Sequence, residues 1–299
     1  MTRPPQWFRQ IRKGVGDVFR ALESVHHIST SDLPLRVRMQ MIQSWASIDL
    51  AKFRHPNHTV KVMGFEVSYA ERGLLAYLFR EIFIEGAYLF QAGNERPLIV
   101  DCGSNIGMSI LFFKSIYPDS RIIGFEPDPP TFKRLQRNIE RNMLKDVIVY
   151  PFALSNTNGT IDFYHSEQNP GSLKMSTKPE RIVGERISVP SRTLSTYIKE
   201  PVDLLKLDIE GAEEEVLPEL VSSGALRLVK RMFLEYHHHI IPEKNTLSQT
   251  LSLLEEEGFG YQMAAEAAKG KFITPGEFQD VRIYCYRKNL RSAKDEFVQ

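Results

Sequence analysis

The feature that most constrains this chain is a regular alternation of short apolar runs with helical stretches, which begins near residue 98. Strands that alternate with helices of this length predict a mainly parallel sheet covered on both faces. The last two runs have no helix between them, which predicts an antiparallel pair at one edge. We therefore predict an α/β fold with seven strands, read from the runs LIVDCG, RIIGFEP, VIVYPFAL, VDLLKLDIE, RMFLEYH, YQMAAEA and VRIYCYRK.

Composition narrows the class of protein. A chain of 299 residues can hold one large α/β domain with additions. Its 38 basic and 37 acidic residues create no overall field for a polyanion, so we expect no nucleic-acid partner. The two cysteines, Cys102 and Cys285, cannot form a disulfide framework and fit a reducing compartment. Without a long apolar run or a secretory signal, we expect a cytoplasmic protein.

The N-terminal part, residues 1–58, is predicted to be a helical extension. Residues 6–22 place apolar side chains at helical spacing, with arginine and lysine largely elsewhere on the helical wheel. Such a helix either packs on protein or lies on an anionic membrane at the cytoplasmic face. A second helix is expected over residues 33–55.

The main domain is predicted to span residues 59–290, and a tail follows at 291–299. It should open with a hairpin at 59–70 and a helix at 72–84. Residues 155–194 contain two short β-like pieces separated by the polar stretch SEQNPGSLKMSTKPERIVGE. A polar stretch of about twenty residues within a compact domain is usually a lid, a binding loop or disorder. We predict a mobile flap over a site.

Two motifs point to a nucleoside ligand. In VDCGSNIG, Gly103 and Gly107 allow backbone to approach a ligand beside a helix N-terminus. A dinucleotide fingerprint fails here because position 105 is asparagine. In GFEPDP, Glu126 ends the second strand, where an acid can accept hydrogen bonds from both hydroxyls of a ribose. Asp128, which precedes two prolines, is the better candidate for a helix cap.

The stretch VDLLKLDIEGAEEEVL carries charge where an apolar strand is expected. Lys206, Asp208 and Glu210 are two residues apart, so on a strand they share one side. Ligands of open α/β sheets bind outside the carboxyl ends of the strands. A purely structural ion pair is the alternative. The acids at 213–215 fall in a first helical turn, which predicts a structural role.

The stretch FLEYHHH ends the fifth strand of the sheet. Glu235 and His237 share a side while the chain is extended. Three consecutive histidines suggest a metal site, but adjacent strand residues point to opposite faces. We therefore expect His238 and His239 to be bystanders.

Together, VDCGSNIG, GFEPDP, FALSN, LLKLDIEGAE and FLEYH resemble the FkbM-type S-adenosylmethionine-dependent methyltransferases, over roughly residues 60–290. The resemblance implies the seven-stranded, Rossmann-like class I methyltransferase fold with an antiparallel last strand. It implies O-methylation of a sugar, glycolipid or polyketide-type acceptor, which would be a small molecule or a saccharide- or lipid-linked group. The implied cofactor-binding residues are Asp101, Gly103, Ser104, Asn105, Gly107, Glu126, Pro127, Ala153, Leu154 and Asp208.

Four groups are predicted to surround the transferred methyl group. An alcohol is a poor nucleophile, so a base or a divalent ion near its proton should raise the rate roughly 10²–10⁴-fold. His237 is the first choice of base because its ordinary pKa lies near working pH. Glu235 would orient the ring, Asp208 would hold the acceptor hydroxyl or a metal, and Lys206 would keep Asp208 ionised. If Mg²⁺ is used, its predicted ligands are Asp208, Glu235 and His237.

Three alternatives compete with this hypothesis. A nicotinamide oxidoreductase is disfavoured by the missing third glycine. An RNA ribose methyltransferase would use similar residues, but a basic, aromatic-studded face is not evident. The third is a non-catalytic binding module on the same fold. The intact cofactor motifs argue against it, and a measurement of cofactor binding decides it.

Overall fold

The computed structural model describes residues 33–51, 59–166, 171–241, 246–265 and 276–289, with the isolated positions 24, 26, 28, 29, 31 and 243. The predicted helix at 6–22 and the predicted tail at 291–299 lie outside the described residues. Two compact units, 1–87 and 88–299, are distinguished by their internal contacts. The predicted division after residue 58 stays a prediction.

The first unit contains the predicted hairpin and two helices. Its elements are α1 (Leu35–Leu50), β1 (Thr59–Val62), β2 (Phe65–Ser68), α2 (Arg72–Phe79) and a π-helical turn (Arg80–Ile84). The hairpin turns at Met63 and Gly64, with φ of 50° and 90°. A tight hairpin turn with positive φ at both central residues matches the twist of the flanking strands.

The second unit is built on strands and helices that alternate as predicted. The strands are β3 (Leu98–Cys102), β4 (Arg121–Phe125), β5 (Val147–Tyr150), β6 (Ala153–Leu154), β7 (Gly159–His165), β8 (Glu185–Arg192), β9 (Leu204–Leu207), β10 (Arg231–His238), β11 (Phe259–Ala265) and β12 (Gln279–Arg287). The helices are α3 (Met108–Ile116), α4 (Pro129–Arg141), α5 (Glu213–Ser222) and α6 (Leu247–Glu256).

Seven of these strands form one sheet in the order β11-β12-β10-β9-β3-β4-β5. Strands β10, β9, β3, β4 and β5 are parallel to one another. Strand β12 lies antiparallel between β10 and β11. The predicted seven-stranded sheet with an antiparallel last strand is therefore confirmed.

The two central strands are buried along their whole length. Every residue of β3 and of β9 is buried, as expected for parallel strands covered on both faces. Apolar side chains such as Val100 and Leu205 fill the core around them. Asp101 and Lys206 are direct partners in the register of β3 and β9, so opposite charges face each other in the middle of the sheet.

A small second sheet interrupts the alternation between β5 and β9. Strands β7 and β8 pair antiparallel, and β6 pairs parallel with β8. The two β-like pieces predicted within 155–194 are β7 and β8. None of the described helices combines the length and the apolar character needed to cross a membrane.

Gly103 is required by the space around it as well as by its backbone conformation. Its φ is +84°, and a Cβ atom there would lie 1.9 Å from the carbonyl oxygen of Asp208. Gly224 has a similar φ of +75°, but a Cβ atom there would meet nothing within 4 Å. An alanine at Gly224 would therefore introduce backbone strain alone, whereas an alanine at Gly103 would introduce the same strain and a steric clash.

We predict that Gly224→Ala lowers the free energy of unfolding by about 1–2 kcal/mol, the usual strain of a left-handed non-glycine residue. Gly103→Ala should cost about 2 kcal/mol more, because the clash adds an overpacking penalty. Denaturant unfolding of both variants measures the difference. Equal losses would show that the close approach to Asp208 relaxes freely.

Candidate active site

A pocket opens at the carboxyl ends of β3, β4 and β9, where ligands of open α/β sheets bind. It encloses about 620 Å³ of empty space, part of it open to solvent. Seven of the predicted cofactor residues line it, namely Gly103, Asn105, Glu126, Pro127, Ala153, Leu154 and Asp208. The other three, Asp101, Ser104 and Gly107, are not among its lining residues.

Those three residues support the glycine turn. Asp101 is completely buried and accepts a hydrogen bond from the Ser109 hydroxyl at 2.7 Å. The Ser104 hydroxyl donates to the Asp101 carbonyl oxygen at 3.0 Å. Gly107 precedes α3 with a φ of +91°, and a Cβ atom there would lie 2.7 Å from Leu135. They shape the turn without forming the pocket wall.

Several lining residues were missed by sequence reasoning. They include Phe163 on β7 and residues of the segment after β7. The full set is Phe125, Phe163, Ser172, Leu173, Met175, Thr177, Ile209 and Ala212. The only available signal for the flap residues was the polar stretch that predicted a flap. Asn105 contacts this segment directly, because its side-chain amide donates to the Gly171 carbonyl at 3.0 Å.

Glu126 is held in the pocket wall by backbone donors. The N–H groups of Asn105 and Asp128 donate to its two carboxylate oxygens at 3.0 and 2.9 Å. Burial raises the pKa of Glu126 to about 8, although these two hydrogen bonds oppose the shift. Each carboxylate oxygen has two lone pairs, so both retain capacity for hydroxyl groups of a ligand.

Asp128 caps α4, as predicted. Its carboxylate accepts hydrogen bonds from the backbone N–H and the hydroxyl of Thr131, at 3.1 and 2.6 Å. Its other oxygen lies 3.1 Å from Nδ1 of His165 on β7. The small sheet is thereby connected to the loop that carries Glu126.

Lys206 lies at the centre of a buried polar cluster. Its ammonium is 3.1 Å from Asp208 and 3.4 Å from Asp101. It also donates to the carbonyl oxygens of Cys102 and Gly103, at 3.2 and 3.0 Å. Burial alone would lower the pKa of Lys206, but Asp208 and Asp101 raise it above its ordinary value. The group is therefore a cation, as the predicted pairing with Asp208 requires.

The prediction that Glu210 shares a strand side with Lys206 and Asp208 is wrong. Strand β9 ends at Leu207, and Glu210 has a left-handed φ of +54°. The chain turns here because α5 begins only three residues later, at Glu213. This turn directs Glu210 towards the neighbouring strand β10.

Glu213 has a larger role than the structural one expected for the start of a helix. Its carboxylate accepts hydrogen bonds from the backbone N–H groups of Ile209 and Gly211, at 3.0 and 2.9 Å. The oxygen that Ile209 contacts also lies 2.9 Å from Nδ1 of His237. Glu213 therefore joins the loop after β9 to a histidine on β10.

His237 is surrounded by carboxylates. Its Nε2 atom is 3.2 Å from Glu210 and 3.9 Å from both Asp208 and Asp280. Burial would lower the pKa of His237, but Glu213 and Glu210 raise it well above its ordinary value. The hypothesis of a histidine base rested on an ordinary pKa, and the structure does not provide one.

The predicted metal ligands do not form one cluster. Ligand atoms of Asp208, Glu210 and His237 all lie within 4.8 Å of one another, and so do those of Glu235, His237 and Asp280. Asp208 and Glu235 thus belong to different groups that share His237. Neither group includes His238 or His239, and Nδ1 of His239 lies 3.1 Å from the Glu277 carbonyl oxygen.

The flap segment reaches this cluster through two cations. Arg181 donates to Glu210 at 2.7 Å, and its guanidinium lies 4.1 Å from the centre of the Phe278 ring. Lys178 donates to Glu215 at 2.5 Å. The Ser176 hydroxyl donates to the Glu210 carbonyl. The pocket is therefore closed on one side by residues that follow β7.

Comparison with known proteins agrees with this arrangement. The Methyltransferase FkbM domain matches residues 101–262, more than half of the chain. Methyltransferase 1 of Beauveria bassiana is 29% identical over 204 residues, which cover 61% of this chain and 80% of that protein.

Two further relatives have more specific names. The hexuronic acid methyltransferase AglP of Haloferax volcanii is 31% identical over 162 residues, 53% of this chain and 63% of its own. The 31-O-demethyl-FK506 methyltransferase FkbM of Streptomyces tacrolimicus is 26% identical over 232 residues, 66% of this chain and 86% of its own. On the extent of the domain match and the geometry of the sheet, this chain belongs to the FkbM methyltransferase family.

Proposed function

We propose that this protein transfers a methyl group from S-adenosylmethionine to a hydroxyl oxygen of a sugar, glycolipid or polyketide-type acceptor. The observation that carries the proposal is the position of Glu126 and Asp208 in the wall of one pocket. Two relatives, named for a hexuronic acid and for 31-O-demethyl-FK506, support an alcohol acceptor of this range. An anionic polymer is a weaker candidate, because the chain has a net charge of only +1.

The pocket residues fit the parts of the cofactor. The fixed carboxylate of Glu126 suits the two ribose hydroxyls, and the apolar wall at Phe152, Ala153 and Leu154 suits the adenine. Gly103 and Asn105 line the same pocket, on the side that we assign to the methionine part. Bound here, the cofactor supplies an electrophilic methyl group.

Asp208 is the residue that we assign to the acceptor hydroxyl. Its side chain is 21% exposed and lines the pocket, whereas that of His237 is 1% exposed and lies behind it. Lys206 holds Asp208 from the buried side. Methyl transfer is an in-line displacement, so holding the acceptor oxygen in line supplies much of the rate. His237 then supports Asp208 and Glu210, and Glu213 orients its ring in place of Glu235.

Glu126→Gln should weaken binding of S-adenosylhomocysteine by about 1–3 kcal/mol at pH 8.5, the scale of hydrogen bonds to a charged group. Since the pKa of Glu126 is raised to about 8, the carboxylate gains its charge as pH rises through that value. Affinity of the unchanged protein should therefore increase from pH 6 to pH 8.5, and the variant should lose this increase. Calorimetry measures both.

The control for this titration is Glu140→Gln, which alters an exposed acid on α4. It should bind as the unchanged protein does at each pH. Equal affinities of the Glu126→Gln variant and the unchanged protein, or a preference for NAD, would contradict the cofactor assignment.

Asp208→Asn should lower kcat by roughly 10²–10⁴, the usual contribution of a group that handles the reacting proton. Its affinity for S-adenosylhomocysteine should stay within a few-fold of normal. Turnover is measured with labelled cofactor and a panel of sugar and polyketide alcohols. His237→Ala should also lower kcat, because the ring supports the loop through Glu213.

The pH profile of kcat separates the two roles. If Asp208 serves the hydroxyl, the His237→Ala enzyme keeps the shape of the profile at a lower rate. If the kcat profile of that variant lacks an ionisation between roughly pH 5 and 8 that the unchanged enzyme shows, His237 is the base. Full activity of Asp208→Asn would remove Asp208 from the mechanism.

The segment 166–186 remains a proposed flap, supported by its contacts with the pocket. We expect thermolysin to cleave it more slowly when S-adenosylhomocysteine is bound, because four of its residues line the pocket. Arg181→Gln removes an ion pair whose partners are 10% and 15% exposed and should speed cleavage. Arg186→Gln is the control and should leave the cleavage rate unchanged, because the side chains of Arg186 and its partner Asp162 are 66% and 52% exposed. Equal cleavage with and without ligand would indicate a fixed element.

A further inference from the structure

The acids around His237 are arranged differently from a simple hydrogen-bonded pair. Three carboxylate oxygens, from Glu210, Asp208 and Asp280, lie 3.2–3.9 Å from Nε2 of one buried histidine. A direct hydrogen bond between a charged donor and a carboxylate is usually about 2.7–2.9 Å long. Nε2 is hydrogen-bonded to Glu210, and the oxygens of Asp208 and Asp280 converge on the same nitrogen at a longer distance.

That spacing suits a metal ion at the centre. With metal–ligand bonds of about 2.0–2.2 Å, adjacent ligand atoms in an octahedron are about 3.0 Å apart and opposite ones about 4.2 Å. The distances from His237 Nε2 to Glu210 and Asp208, 3.2 and 3.9 Å, lie within this range. No side chain would have to move far to coordinate an ion.

The remaining nitrogen of His237 has the partner that a metal-bound histidine needs. Nδ1 lies 2.9 Å from Glu213, and both side chains are 1% exposed. A ligating histidine almost always gives its second ring N–H to a carboxylate or carbonyl, which fixes the ring and leaves the other nitrogen for the metal. Glu213 is itself fixed by the backbone of the loop after β9.

We propose that Asp208, Glu210 and His237 bind one divalent first-row transition metal ion of the Mn²⁺ type, with Asp280 near enough to contribute. Carboxylates favour Mn²⁺ and Mg²⁺, while an imidazole ligand favours a transition metal over Mg²⁺. The inference rests on the proposed function, since an ion beside Asp208 would polarise the acceptor hydroxyl. The predicted ligand Glu235 is replaced by Glu210.

The charges around the site are predominantly negative. Lys206 contacts one oxygen of Asp208, and the other oxygen is the one that faces His237. Arg181 donates to the same oxygen of Glu210 that faces His237, so this oxygen would use one lone pair for Arg181 and another for the ion. These two cations face five carboxylates, those of Asp101, Asp208, Glu210, Glu213 and Asp280. The excess of negative charge favours a divalent ion or, in its absence, a proton on His237.

The test is a titration of the full chain with Mn²⁺ alone. Binding is measured by calorimetry and by the loss of the electron paramagnetic resonance signal of free Mn²⁺. The unchanged protein should bind one equivalent. Glu210→Gln should remove most of the affinity, and Glu213→Gln should weaken it by about 10–100-fold, as loss of a supporting carboxylate does. The control is Glu214→Gln. Glu214 is the next acid in the same helical turn and accepts a hydrogen bond from the Tyr236 hydroxyl. It should bind normally.

Because Glu213 also supports the loop, the folding of the Glu213→Gln variant is checked by circular dichroism. If Glu213→Gln does not fold, the Glu210→Gln variant alone tests the site. Absence of Mn²⁺ binding by the unchanged protein, or equal affinity of Glu210→Gln, would overturn the site. Methyl transfer that persists in EDTA would do so too, while leaving the proposed function intact. Mn²⁺ binding without S-adenosylhomocysteine binding would instead remove the proposed function and keep the site.

Discussion

The pairing of Asp101 with Lys206 across the central strands is the interaction on which the site depends. Both side chains are almost completely buried, where an uncompensated charge would cost several kcal/mol. The ammonium is compensated by Asp101, by Asp208 and by the carbonyl oxygens of the glycine turn. One cation thus joins the register of β3 and β9 to the shape of the turn and to the position of Asp208.

A second carboxylate organises the neighbouring loop. Glu213 binds the backbone N–H groups of Ile209 and Gly211 and also contacts His237. Gly211 has a φ of +104°, a backbone conformation that favours glycine at the turn between them. The motif LDIEGAE therefore encodes a loop whose conformation, acidic groups and histidine partner are determined together.

The flap adds charge to this arrangement from a distant part of the chain. Arg181 approaches Glu210, and Asn105 donates to the Gly171 carbonyl. A change of the segment that follows β7 would therefore alter both the glycine turn and the acidic cluster. The glycine turn and the acidic cluster are connected through these few contacts.

The sequence alone determined the sheet, the glycine turn, the cap at Asp128 and the position of Glu126 at a strand end, because these follow from local periodicity and from residues at strand ends. It did not show that Glu213 contacts His237, nor that Glu210 leaves the strand. Those contacts join residues 24 and 27 positions apart. Only the packing of α5 against β10, with its positive-φ turn, could decide them, since strand spacing describes neighbours along one element and not across two.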